Sequence, residues 1–390
     1  MQEELIRIPR TEFTGRWEKV QMLMQEQNLD MILAYSDDRA TYGNAYARYY
    51  TDLQTHFEPV IVLFAAGIPP VIMTGPETDG YAKERAAVQE IRVLSELAAE
   101  DEDYPFSRVE TLGQIVGEYV GKVPKRIGLA PKVLMGAELY EAILETFPEA
   151  EFVDVDKLLA PLRGIKSQSE IKVITKAYEI ANAGMRAAVE AVRPGVTERE
   201  VAAEAEYVMR KMGCEGYGID PIVATGPNTY HVLARTTSRV IEENDVVVIT
   251  LAPRYEGYHG ALGRTILVGE PGEKAEQAVK AMIKAQNLCA DNLIPGKAGS
   301  QVEAMGRQVM KEAGYEKNFM YSGLHSVGVI EFEPPILGPS SNTIIQKDMV
   351  ISVDIPLFEA DVQGMRMEDG YLITETGCRR LTDCPQWIKK

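Results

Sequence analysis

At 390 residues, 45% of them hydrophobic and 25% charged, the chain has an ordinary globular composition and enough length for two domains with separate cores. A net charge of −17, with no Lys/Arg cluster as a local exception, sets it against phosphate backbones and anionic headgroups and excludes nucleic acid as an expected partner. The acidic, polar start MQEELIRIPRTEF lacks the basic patch and apolar core of a signal peptide, and no apolar run is long enough to span a bilayer, so the expected setting is cytoplasmic and off the membrane.

From the N-terminus, Trp17 to Gln27 reads as helix, Met31 to Ala34 as strand, Pro59 to Phe64 and Pro70 to Met73 as further strands, and Thr78 to Ala87 as helix again. This alternation predicts a small α/β domain. The pattern ends in a Pro/Gly-punctuated stretch at 155–164, and a helix starts at Ser167, which has capping-box spacing to Glu170. The expected domains are therefore residues 1–160 and 161–390. Within the second, Pro194-Gly195, Val201, Ala203, Val208-Met209 and Gly213 recur as Pro295-Gly296, Val302, Ala304, Val309-Met310 and Gly314, at a constant offset of 101 residues. Two duplicated helical units, each feeding strands, predict two αβ halves with helices outside, an antiparallel sheet inside and a cleft between them.

Asp245 to Ala252 is an apolar, β-branched run and Tyr258 to Val268 a second extended one, with Pro253 to Gly257 expected as the turn of a hairpin. The four cysteines, 214, 289, 378 and 384, have neither zinc-like spacing nor the density of a disulfide framework and are expected to be reduced. Only four histidines occur: His56, His231, His259 and His325. His231, in TGPNTYH, and His325, in GLHSVGVIEFEPPIL, lie at strand or loop edges, where an imidazole can reach a cleft. Asp354 interrupts the apolar strand MVISVDIPL, and Glu368 lies in GMRMEDGYLIT. A carboxylate in an apolar strand needs a partner, so Asp354 is either a site residue or the mate of an arginine such as Arg366 or Arg264. Glu333, ahead of Pro334-Pro335, is open to two readings, a substrate contact or a solvated turn residue.

With these motifs in this order (KSQSEI, TGPNTYH, EGYHGALGRT, HSVGVIEFEPP, SVDIP and MRMEDGYLIT) the chain resembles the creatinase/aminopeptidase P/prolidase family over essentially its whole length. The resemblance implies a fold of class α+β, a small ribonuclease H-like α/β domain followed by a pita-bread domain, assembled as a homodimer. It also implies what is missing. The two metal-binding aspartates of the family's hairpin fall on Thr250 and Ala261; the ligand histidine is kept as His325, a glutamate ligand becomes Asp354, the last glutamate is kept as Glu368, and the proton-handling histidine matches His231. The histidine of the family's HEPP pattern is Phe332, the guanidinium-gripping glutamate of creatinase is Gly263, and its carboxylate-binding arginine falls on Glu58.

The expectation drawn from this is a creatinase-like hydrolase of a C–N bond in a small polar or cationic molecule, acting without a metal or other cofactor. His231 is its general acid/base, His325 polarises the scissile group, Asp354 and Glu368 orient water or hold a cationic group, and Glu333, Tyr258, Glu58 and His56 contact substrate. The first alternative is an Xaa-Pro-type peptidase with one divalent metal on His325, Asp354 and Glu368. The second is a binding protein that kept the fold and lost the chemistry.

Overall fold

The computed structural model describes residues 5–99 and 102–390 and divides the chain between Leu162 and Arg163. One unit is Ile8–Leu162; the other is Arg163–Lys390 with the described residues before Ile8.

The first unit contains helices α1 (Arg10–Glu26), α2 (Ala45–Thr51), α3 (Asp79–Arg85), α4 (Leu112–Val120), α5 (Ala137–Thr146) and α6 (Asp156–Leu159). Its strands are β1 (Met31–Ser36), β2 (Val60–Ala65), β3 (Val71–Thr74), β4 (Ile91–Leu94), β5 (Val109–Glu110), β6 (Arg126–Ala130) and β7 (Glu151–Asp154). They form one sheet in the order β5-β4-β3-β2-β1-β6-β7. The sheet is mixed: β2 pairs antiparallel with β1 and β3, and the other neighbours are parallel. The central strands β1, β2 and β3 are buried at every residue, which explains their unbroken apolar runs, since a strand covered on both faces loses the alternation of a half-exposed one. Helices α2, α4 and α5 escape the sequence reading. The Tyr-rich α2 is buried at all but one position and so has no polar face to signal a helix.

The second unit begins with α7 (Gln168–Ala191), where the Ser167/Glu170 capping box forms in full: Ser167 Oγ accepts from the Glu170 amide at 3.1 Å and Glu170 accepts from the Ser167 amide at 2.8 Å. Then come α8 (Glu198–Lys211), β8 (Gly216–Tyr217), β9 (Ile222–Thr225), β10 (Val246–Leu251), β11 (Pro253–Tyr255), β12 (Tyr258–His259), β13 (Leu262–Leu267), α9 (Glu273–Asp291) and α10 (Gly299–Glu312). The chain ends with β14 (Leu324–Ser326), β15 (Glu333–Ile336), β16 (Val350–Leu357), β17 (Met365–Ile373) and β18 (Cys378–Arg380).

The repeat read from sequence is structural: α8 and α10 start and end 101 residues apart. Gly195 and Gly296 share a φ of 89°, and each donates its amide to the strand side of its own half, to Ile241 O at 3.0 Å and to Ile345 O at 2.9 Å. Only glycine takes that φ at little cost, which accounts for the Pro-Gly signature recurring at one offset.

The main sheet runs β15-β14-β16-β17-β13-β10-β9, with antiparallel neighbours throughout and β18 attached to β17. Helices α9 and α10 cover one face with a core that includes Met282, Ala285, Cys289, Val302, Met310, Val353, Ile355 and Met367. The hairpin turn is shorter than expected. Pro253–Tyr255 is strand, and Glu256-Gly257 alone turns, with φ of 46° and 82°, the paired positive values of a two-residue turn matched to strand twist. All four cysteines are free. Among the described residues no helix is long and apolar enough to cross a membrane.

Candidate active site

Cross-strand register lines up one row of side chains. Asp354 on β16 faces Glu368 on β17, Glu368 faces Gly263 on β13, and Gly263 faces Thr250 on β10. Two residues along β16, Ser352 faces His325 on β14. Cross-strand partners share a sheet face, so His325, Ser352, Asp354, Glu368, Gly263 and Thr250 converge on one surface, with Arg366 two residues before Glu368 on the same side. Of these, Thr250, His325, Asp354, Arg366 and Glu368 floor a cavity of 370 Å³, and Ile219, Val232, Leu233 and Phe332 supply its apolar walls. Tyr321 and Glu331 complete the lining.

The floor has two compartments. In the first, His325, Glu331 and Glu368 each offer a ligand atom, all within 4.8 Å of one another. His325 Nδ1 lies 3.0 Å from the Ser326 carbonyl and Nε2 lies 3.8 Å from Glu368, so with the proton on Nδ1 the lone pair of Nε2 faces the carboxylates. Ser352 donates to Glu368 at 2.8 Å, and Phe332 lies over the imidazole with ring centroids 4.1 Å apart. In the second compartment, Arg366 donates to Thr250 Oγ1 at 3.1 Å and to the Tyr321 hydroxyl at 2.7 Å, and its Nε stands 3.5 Å from Asp354. Tyr321 in turn donates to Asp354 at 2.5 Å.

These groups sit close together with little water, and their proton affinities part accordingly. Burial and the neighbouring Glu368 push Glu331 up to about 7, against the pull of His325 and Arg366. Burial raises Asp354 to about 6 although Arg366 opposes it. Burial would raise Glu368 too, but the neighbouring His325, the charge of Arg366 and the hydrogen bond from Ser352 hold it below the usual range. His325 is raised, the carboxylates more than offsetting its desolvation. With Asp354 paired to Arg366, two carboxylates remain around one imidazole, a donor set that a cation would fit.

The other residues expected at the site are placed as follows. His231 is exposed, its ring edge-on to Tyr230 at 5.6 Å, while its loop neighbours Val232 and Leu233 line the cavity. Glu333 is fully buried and its carboxylate is used by Lys166 at 2.9 Å and Arg163 at 3.3 Å, so it is neither a solvated turn residue nor a cavity residue. Tyr258 is buried and donates to Glu170 at 2.9 Å, anchoring the hairpin to α7. Glu58 and His56 belong to the first unit. The Glu58 carboxylate accepts the Thr78 and Glu77 amides at 2.7 and 3.1 Å, in the turn that leads into α3, and exposed His56 meets Asp38 at 3.0 Å. Ala261 is buried and offers only a methyl. The group with the spacing to hold a metal ion is His325, Glu331 and Glu368, whereas Asp354, expected in such a set with His325 and Glu368, is engaged by Tyr321 and Arg366. Arg264, the other candidate mate of Asp354, instead pairs with Asp369 at 2.6 Å. Glu331 was missed, although a lone carboxylate between Ile330 and Phe332 is the same anomaly that marks Asp354.

Residues 172–375 match the model of metallopeptidase family M24, and residues 16–165 match the creatinase/prolidase N-terminal domain. The chain belongs to metallopeptidase family M24. It is 31% identical over 334 residues to an Xaa-Pro dipeptidase of Pyrococcus furiosus, covering 83% of this chain and 91% of that one. A crystal structure of the prolidase from Pyrococcus horikoshii superposes with a TM-score of 0.82 at 26% identity, covering 95% and 99% of the two chains. An X-Pro aminopeptidase from Thermotoga maritima shares the fold, with a TM-score of 0.79 at 24% identity. The architecture is the pita-bread fold behind a creatinase-type N-terminal domain, and the chain is a member of a family of peptide C–N hydrolases. These findings overturn two expectations. A metal-independent, creatinase-like enzyme with no cofactor does not accord with a metallopeptidase family, with relatives named Xaa-Pro dipeptidase, or with a buried cluster of one imidazole and two carboxylates able to hold an ion.

Proposed function

We propose that this chain is an Xaa-Pro-type peptidase acting on small peptides, with one divalent ion held by His325, Glu331 and Glu368. The cluster on the cavity floor carries the reading: one imidazole and two carboxylates, partly or fully buried, with ligand atoms within 4.8 Å. That set suits a divalent transition ion of the hard-to-borderline kind, such as Mn²⁺ or Co²⁺. When bound, such an ion polarises a carbonyl and acidifies a water.

The chain's own residues set the rest. The Ser326 carbonyl fixes the tautomer of His325, and Ser352 orients Glu368, as outer-shell partners of ligands generally do. Arg366 and Tyr321 engage Asp354 and would supply positive charge and a hydroxyl to a substrate bound on the cavity floor. Ile219, Val232, Leu233 and Phe332 give the cavity an apolar wall that favours an apolar residue such as proline.

Purified chain supplied with Mn²⁺ or Co²⁺ should hydrolyse Xaa-Pro dipeptides in preference to Xaa-Gly, and should lose that activity with chelator. Absence of turnover on every Xaa-Pro peptide at saturating metal would exclude this reading. The homodimer implied by the resemblance is proposed with it; light scattering should give twice the chain mass of 43.2 kDa.

A further inference from the structure

The second compartment of the cavity floor is already filled by a cation of the protein's own. The Arg366 guanidinium lies among Thr250 Oγ1, the Tyr321 hydroxyl and Asp354, the oxygens from which any second ion on that side would have to be built. It is 7% exposed and braced by the rings of Tyr321 and Phe358, whose centroids lie 5.8 and 5.5 Å from its Cζ.

One glycine makes room for Arg366, and a second makes room for a buried tyrosine on the same sheet. A Cβ on Gly263, in the strand row between Thr250 and Glu368, would stand 2.9 Å from Arg366 Cγ and Cδ, so a side chain there would push the guanidinium stem away. A Cβ on Gly370 would stand 2.1 Å from the hydroxyl and ring of Tyr178, which is fully buried against the same sheet. A bare backbone at each point admits a bulky side chain where the hairpin supplies only the hydroxyl of Thr250 and the methyl of Ala261.

We infer that Arg366 is a built-in substitute for a second metal ion, so that this centre takes one divalent ion per chain and the guanidinium holds the neighbouring position permanently. The inference rests on the proposed metal-dependent reading of the site. A dication beside Arg366 would meet like charge, and of the oxygens it needs Thr250 Oγ1 and the Tyr321 hydroxyl already accept from the guanidinium and Asp354 Oδ2 accepts from Tyr321 beside it, which leaves only Asp354 Oδ1 without a hydrogen-bond partner.

The test is metal stoichiometry, with no substrate present. Full-length chain stripped by chelator is titrated with Mn²⁺ calorimetrically, and the same protein is crystallised with Mn²⁺ for anomalous diffraction. The expected result is about one ion per chain and one anomalous peak, at His325, Glu331 and Glu368. The T250D/A261D variant restores two carboxylates and should still bind about one ion, whereas adding Arg366→Leu should raise this to about two. Two ions in the wild type, two in T250D/A261D with Arg366 in place, or no ion at all would overturn the inference. Should the triple variant fail to fold, the wild-type anomalous map decides alone, because a peak between Thr250 and Asp354 is incompatible with the guanidinium there. A chain that binds one ion yet cleaves no Xaa-Pro peptide leaves this inference standing and removes the proposed function.

Discussion

The two duplicated halves of the second unit share a scaffold but not a chemistry. Up to Leu267 the first half gives the cavity all of its apolar wall but Phe332, and one hydroxyl, through Ile219, Val232, Leu233 and Thr250. The second half gives it every titratable and charged group: Tyr321, His325, Glu331, Asp354, Arg366 and Glu368. Helices α8 and α10 repeat at a constant spacing because packing and turn geometry demand the same residues twice, whereas the site needs its charges only once. A duplicated fold can therefore lose chemistry from one half and remain intact.

The sharpest way to break this asymmetry is to remove a charged group of the second half. His325→Ala should cost about 10²–10³-fold in metal affinity and abolish turnover, read by Mn²⁺ titration and by Xaa-Pro hydrolysis. An unaltered Mn²⁺ affinity would mean that the ion, if any, binds elsewhere.

The next effect is on stability. Gly370→Ala places a methyl 2.1 Å from the Tyr178 ring atoms, and neither the buried ring nor the central strand β17 can easily move aside. Overpacking of this kind should cost about 2–3 kcal/mol, seen as a lower midpoint in urea with unchanged slope. Gly15→Ala, on α1 with open space around its Cβ, is the control and should be neutral or slightly stabilising.

How far these residues could be foreseen follows from the kind of signal each leaves. The domain class, the helical duplication and the Ser167 capping box are local or periodic, and local physics writes them into adjacent residues. Asp354 announced itself because an apolar strand rarely carries a carboxylate without reason. Glu333 and Glu58 misled for the opposite reason: each has partners distant in sequence, Lys166 and Arg163 for one and the amides of the turn ahead of α3 for the other, that no local pattern reveals. Arg366 was in reach as a mate of Asp354, and the two do pair, but its lodging beside Thr250 was not, since that depends on Gly263 lying opposite Glu368 across a strand pair more than a hundred residues apart in sequence.

A smaller effect sharpens the electrostatic side. In the metal-free chain Glu331 titrates at about 7 and Asp354 at about 6, both above their ordinary values, so in each case the folded state favours the protonated acid. That contribution to stability is fully present below the ordinary carboxylate range and is lost as pH rises through about 6 and then about 7. The thermal midpoint of the metal-free chain should therefore fall across that window relative to Glu331→Gln, by the equivalent of about 1–3 kcal/mol, and saturating Mn²⁺ should cancel the fall. A wild-type chain that tracks Glu331→Gln at every pH would mean that the carboxylates are not crowded as described.

The smallest expected effect tests the first half. Leu233 is 70% exposed, so truncating it removes little buried surface and should leave stability within about 0.5 kcal/mol. It nevertheless lines the cavity, where a bound peptide would cover it. Leu233→Ala should then raise KM for Xaa-Pro substrates about 3- to 10-fold with kcat nearly unchanged, the mark of an interaction made equally in ground and transition states. A matching fall in kcat would instead place the first half in the chemical step, and the division of labour between wall and floor would have to be redrawn.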